Sequence, residues 1–139
     1  MRIVEDEVVP VEGANDTMSD AIDQARSSIG DFFKAFENPQ PGQTDFHIKA
    51  RFTDGTQAEH IWLSELDFKT RPATGIVSNE PQIGSVSFME RVAFLPDQIS
   101  DWMYRDGGRV VGGFTTKVLL RAKFTPGGFA GLLKRRLKM

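Results

Sequence analysis

Apolar and polar positions change period several times along this chain. From Met18 to Phe36 the apolar residues Met18, Ala21, Ile22, Ala25, Ile29, Phe32, Phe33 and Phe36 recur at helical spacing and form one stripe. Thr17 stands before the stripe as an N-cap, with Asp20 three residues on in the capping-box position and Asp23 adding negative charge to the first turns. Asn38-Pro39 closes the run, because the residue before a proline is driven out of the helical region. The pattern predicts one amphipathic helix from about residue 17 to residue 38.

After it the period drops to two. "TDFHIKARFTDGTQAEHIWL" alternates on both sides of Asp54-Gly55, a hairpin signal that, taken as a two-residue loop, sets Ile48 opposite Ile61 and His47 opposite Trp62. One face is then Phe46, Ile48, Ala50, Phe52, Ile61 and Leu63, and the other is His47, Lys49, Arg51, His60 and Trp62. Short strands follow near residues 75 to 78 and 85 to 94, separated by "NEPQIG". "LPDQISDWM" re-enters a strand after a turn, and "YRDGGRV" turns again, with Asp106-Gly107 as the loop that puts Gly112 opposite Asp101. Alternation of Val118, Leu120, Ala122 and Phe124 predicts a strand through "FTTKVLLRAKF". Beyond Phe124, "FAGLLKRRLKM" has the spacing of a short basic amphipathic helix.

These elements predict an α+β fold: an N-terminal amphipathic helix packed on a twisted, mainly antiparallel sheet that curls towards a small, partly closed barrel. At 139 residues the chain has the size of one domain. Its expected divisions are an acidic leader over 1 to 16, a single domain over 17 to 124, and a basic tail over 125 to 139.

Composition narrows the chemistry. The chain is 40% hydrophobic with 11 Phe, enough for a packed core, and the absence of cysteine removes disulfides, thiolate metal sites and thiol nucleophiles. The net charge of -2 hides an asymmetry: all 19 acidic residues lie at or before Asp106, while the chain from Arg121 onward carries basic groups and no acid. Such an acidic body disfavours a uniform nucleic-acid surface, whereas Lys134, Arg135, Arg136 and Lys138 in the tail are suited to an anionic surface. No secretory pattern or apolar run of membrane-spanning length occurs in the sequence, so the expected location is the cytoplasm.

Four motifs in order, "EHIWL" at 59 to 63, "NEP" at 79 to 81, "ISDWMY" at 99 to 104 and "VGGFT" at 111 to 115, follow a helix containing "AIDQAR". Together they resemble the YegJ-like family of bacterial proteins, domain of unknown function 2314, over roughly residues 17 to 121. The resemblance implies a small bacterial domain and supplies motif positions without a reaction. The basic tail lies outside the similarity.

The motif residues His60, Trp62, Asn79, Glu80, Asp101, Trp102, Tyr104, Gly112 and Gly113 are polar, aromatic or glycine, and define a candidate binding surface on a non-catalytic interaction module with an unknown protein or small-molecule partner. A glycine pair inside a strand leaves room for a neighbouring indole or for a ligand. An alternative is a small hydrolase or metal-dependent enzyme using His60, Glu80 and Asp101, with His47 and His60 as two possible ligands on one face. Anionic-surface association through the tail is the other alternative. No Walker, Rossmann, nucleophile-elbow or zincin pattern is present, no cofactor is expected, and Gly107 with Gly112 lacks the Lys and Ser or Thr of a phosphate loop.

Overall fold

The computed structural model describes residues 12 to 123, so the first eleven residues and the basic tail, with the helix expected after Phe124, lie outside the described residues. Helix α1 (Glu12–Ser27) begins five residues ahead of the expected Thr17 cap. A break at Ser28 separates it from α2 (Ile29–Glu37). The expected single helix is thus two: the Ser27 and Ser28 hydroxyls both donate to the Gln24 carbonyl, competing with the backbone ladder just before Gly30. Asn38 ends α2, as the following proline requires.

Six strands follow: β1 (Gln43–Thr53), β2 (Ala58–Asp67), β3 (Ala73–Val77), β4 (Arg91–Phe94), β5 (Ile99–Asp106) and β6 (Arg109–Gly112). They pair antiparallel in the order β4-β3-β2-β1-β5-β6. In the first hairpin Ile48 pairs with Leu63 and Lys49 with Trp62, two residues away from the register that a two-residue loop dictates. The loop is longer, because Asp54 Oδ1 accepts N–H bonds from both Thr56 and Gln57 and draws residues 54 to 57 into one turn. Those donors hold the Asp54 carboxyl below the usual carboxylate range. In the second hairpin Met103 pairs with Gly112 and the loop is Gly107-Gly108, again a shift of two. A shift of two preserves parity, so each side chain keeps its predicted face.

The segment expected to be a last strand is instead helix α3 (Phe114–Lys123). Val118 and Leu119 are buried while Leu120 is 43% exposed, a pattern no strand alternation produces. The strand expected over 85 to 94 keeps only its last four residues.

The sheet is not closed into a barrel; β4 and β6 are its edges. It is nevertheless bent. Residues 95 to 98, including a 3-10 turn (Pro96–Gln98), join β4 to β5 across three intervening strands. A flat sheet would separate those strands by roughly 19 Å at the usual spacing, which is beyond the reach of a four-residue link that includes a turn.

Two apolar clusters sit on opposite faces. The larger unites Ile48, Ala50, Ile61, Leu63, Trp102 and Tyr104 of the sheet with Ala25, Phe32 and Ala35 of α1 and α2. Phe32, fully buried, meets Phe33, Phe36, Phe46, Phe68 and Trp102 at centroid separations of 5.6 to 6.4 Å. The smaller joins Trp62 to Met18 and Ala21 of α1 and to Val118 and Leu119 of α3.

Gly112 fixes the approach of β6 to β5. Its φ is +83, and a Cβ there would meet the Trp102 carbonyl and come within 2.6 Å of the indole. Gly112→Ala is expected to cost about 3 kcal/mol or more, combining left-handed strain with overpacking. Gly55→Ala, with φ +100 and nothing within 4 Å, is expected to cost about 1 to 2 kcal/mol from strain alone. Urea midpoints of the two variants check this, and equal losses would remove any role for the indole contact.

Candidate functional site

Asp101, fully buried on β5, lies under the start of α3. Its Oδ1 accepts N–H bonds from Trp102 (2.8 Å) and Phe114 (3.2 Å); its Oδ2 accepts from the Thr115 N–H (2.9 Å) and hydroxyl (2.6 Å). A carboxylate from a neighbouring strand thus does the work of an N-cap for a helix whose own first residues offer none. The Thr115 hydroxyl also accepts from Lys49 Nζ at 3.1 Å, and that ammonium lies 5.6 Å from the Trp62 ring centre. Lys49, on the hairpin face opposite the apolar one as the alternation predicts, is completely enclosed. Burial pushes the Asp101 carboxyl above its ordinary value, while the bonds from Thr115 and Trp102 and the charge of Lys49 pull it back.

The remaining sequence candidates disperse. Trp102, next to Asp101, points to the other face, where its Nε1 donates to the Ala25 carbonyl and Tyr104 stacks on it at 6.0 Å. Gly113 donates its N–H to the Trp102 carbonyl. His60 Nδ1 is hydrogen-bonded to Ser100 Oγ at 2.8 Å, but Ser100 is only 3% exposed and its hydroxyl is closed off from a substrate. Glu80 is exposed on the loop after β3. The three groups of the hydrolase hypothesis thus have separate environments, and among the described residues no three His, Asp or Glu side chains gather where they could hold a metal ion. His47 Nδ1 meets the Asp45 carbonyl at 2.9 Å.

Asn79 is brought to Trp62, whose N–H donates to its Oδ1 at 2.8 Å. With His47, Ser78, Met103 and Thr116 these two line a niche of about 150 Å³ on the α3 side of the sheet. Glu59, not singled out by sequence, is 7% exposed and its Oε1 accepts the N–H groups of Gln82 and Ile83, tying the long loop after β3 to β2.

The larger spaces flank α2 on the opposite face. A cleft of about 560 Å³ runs between α2 and β5, with Trp102 and Tyr104 in its floor and Lys34 and Asn38 on its helix side. A groove of about 620 Å³ opens where the curled sheet brings the β4–β5 link towards the helix break, lined by Ile29, Phe33, Phe68, Pro72, Phe94 and Leu95 among others. Arg26 bridges it, with Nε and Nη2 donating to the carbonyls of Ile99 and Asp97. Sequence reasoning missed this groove because most of its lining comes from element ends and links; the apolar Leu95-Pro96 at a turn was its one outward sign.

A family model described as "Uncharacterized protein conserved in bacteria (DUF2314)" matches residues 15 to 128. The chain is similar to "Uncharacterized protein YegJ" of Escherichia coli, 36% identical over 104 residues that cover 74% of this chain and 67% of that protein. It is also similar to a putative ankyrin repeat protein of Neisseria meningitidis serogroup B, 36% identical over 67 residues covering 48% of this chain and 26% of that protein. No solved structure matches it.

Thr115→Val keeps the shape of the side chain but removes a hydroxyl on which Asp101 and Lys49 converge, and is expected to cost about 1 to 3 kcal/mol in urea unfolding. The raised pKa of Asp101 sets a sign for pH. Between its unfolded and folded values the native state holds more protons, so this residue's contribution is fully present below the unfolded value and declines as pH rises through the folded one. The stability advantage of the native protein over Asp101→Asn is expected to shrink as pH rises from about 4 through that window. Thermal melts of both proteins from acid to neutral pH measure it, and an advantage that grows with pH would reverse the assignment.

Proposed function

The chain belongs to the DUF2314 family of uncharacterised bacterial proteins, and on that footing we propose that it is a non-catalytic binding module whose ligand enters the apolar groove beside α2. The observation that carries this is the groove itself. Its volume of about 620 Å³ falls in the range of small-molecule sites, its walls are aromatic and aliphatic, and Leu95 at its edge is 53% exposed. A leucine left so open beside other apolar side chains gains from any partner that covers it.

The groups that suggested catalysis support binding over turnover. Asp101 is engaged in holding α3, His60 meets a closed serine, and Glu80 is exposed on its loop. None of them lines the groove. The polar-aromatic surface expected from the motifs divides between the two faces of the sheet, leaving Trp62 and Asn79 at the small niche and Trp102 and Tyr104 at the cleft beside β5.

A neutral apolar probe, N-phenyl-1-naphthylamine, tests the proposal. Saturable fluorescence enhancement is expected, with amide shifts in nuclear magnetic resonance centred on Phe33, Phe68, Phe94 and Leu95. Leu95→Gln is expected to weaken it about fivefold, the equivalent of roughly 1 kcal/mol of apolar contact. Unsaturable binding, or shifts confined to Trp62 and Asn79, would move the site away from the groove.

A further inference from the structure

The groove is apolar within and cationic at its mouth. Phe94 and Ile99 are buried at its floor, while Phe33 and Phe68 are half-buried walls. Arg26 and Arg71 line the same space and, among the described residues, no Asp or Glu does. The two arginines differ in what they have left to give. Arg26 has two of its N–H directions committed to the carbonyls of Ile99 and Asp97, which fixes its guanidinium against the groove. Arg71 is exposed and, among the described residues, makes no hydrogen bond or ion pair, so its planar fork is free.

We propose that the groove takes a single-chain amphiphile with one negative charge, a fatty carboxylate, whose chain lies along Phe33, Phe68 and Phe94 and whose head meets Arg71. This rests on the groove being the binding site. One free guanidinium fork matches one carboxylate in a bidentate pair, with Arg26 adding charge and few donors. A neutral apolar ligand would cover the mouth without answering either cation, and a peptide would bring backbone donors and acceptors to walls on which Thr70 is the one polar side chain besides the arginines among the described residues. Length and charge are thus recognised in different places.

Isothermal titration calorimetry of the full chain with dodecanoate and dodecanol, below their aggregation concentrations, separates these terms. Dodecanoate is expected to bind about tenfold more tightly than dodecanol, and each methylene added between decanoate and dodecanoate to tighten binding about fourfold. Arg71→Gln, at an exposed position with no hydrogen bond or ion pair among the described residues, is expected to bring dodecanoate down to the level of dodecanol and leave dodecanol unchanged. Added salt is expected to weaken dodecanoate alone. If dodecanol binds as well as dodecanoate, or Arg71→Gln weakens both alike, the carboxylate assignment is overturned and the groove stands. If neither binds while N-phenyl-1-naphthylamine does, the single-chain class is overturned; if none of the three binds, the groove itself is not the site.

Discussion

Asp101 and Trp102 are consecutive residues of one strand, and because side chains alternate along a strand they reach opposite faces of the sheet. Asp101 grips the first backbone amides of α3 on one side. Trp102 holds a carbonyl of α1 on the other and fills the space that Gly112 leaves open. α1 and α3 are therefore both fastened through a single dipeptide, and the charge of Asp101 is tolerated in the interior because four donors and the nearby Lys49 ammonium surround it. Residues with the look of catalytic or ligand-binding chemistry thus serve the assembly of the fold.

The groove follows from a different constraint. A short link between strands that are not neighbours bends the sheet, and the helix above it breaks at Ser28. Between the bend and the break lies space that the surrounding side chains do not fill. Arg26 spans the two sides and sets their distance by hydrogen-bonding to the link. Apolar capacity here is a product of topology more than of any motif, and it lies on the face away from the Asp101 network.

Period and parity were legible in the sequence. Phe46, Ile48, Ala50, Ile61 and Leu63 face the core as alternation predicts, and Phe32 sits at the centre of the helical stripe. Register was not legible, because turn length depends on local bonding such as the Asp54 carboxylate with Thr56 and Gln57, and a longer turn slides the pairing while leaving the faces intact. The helix after Gly113 was hidden for a non-local reason: Thr115, Thr116 and Val118 have strand propensity, but the cap that stabilises a helix there comes from Asp101, 14 positions away from Thr115. The candidate site was legible only as a set of unusual residues. That Asp101 and Trp102 turn away from each other follows from alternation, whereas the meeting of Phe33, Phe68 and Leu95 depends on the sheet's curvature.

β1 lies in the interior of the sheet, flanked by β2 on one side and β5 on the other. On a ribosome its first partner emerges within a few residues, since the β1–β2 hairpin is local. Its second does not: Ile48 must wait for Trp102 to be synthesised. Until then one edge of this central strand is unsatisfied, and the two fastenings carried by β5 do not yet exist. The nascent chain must therefore keep an apolar, pairing-competent edge from other strands during most of its synthesis, a demand met late and all at once by the arrival of one segment.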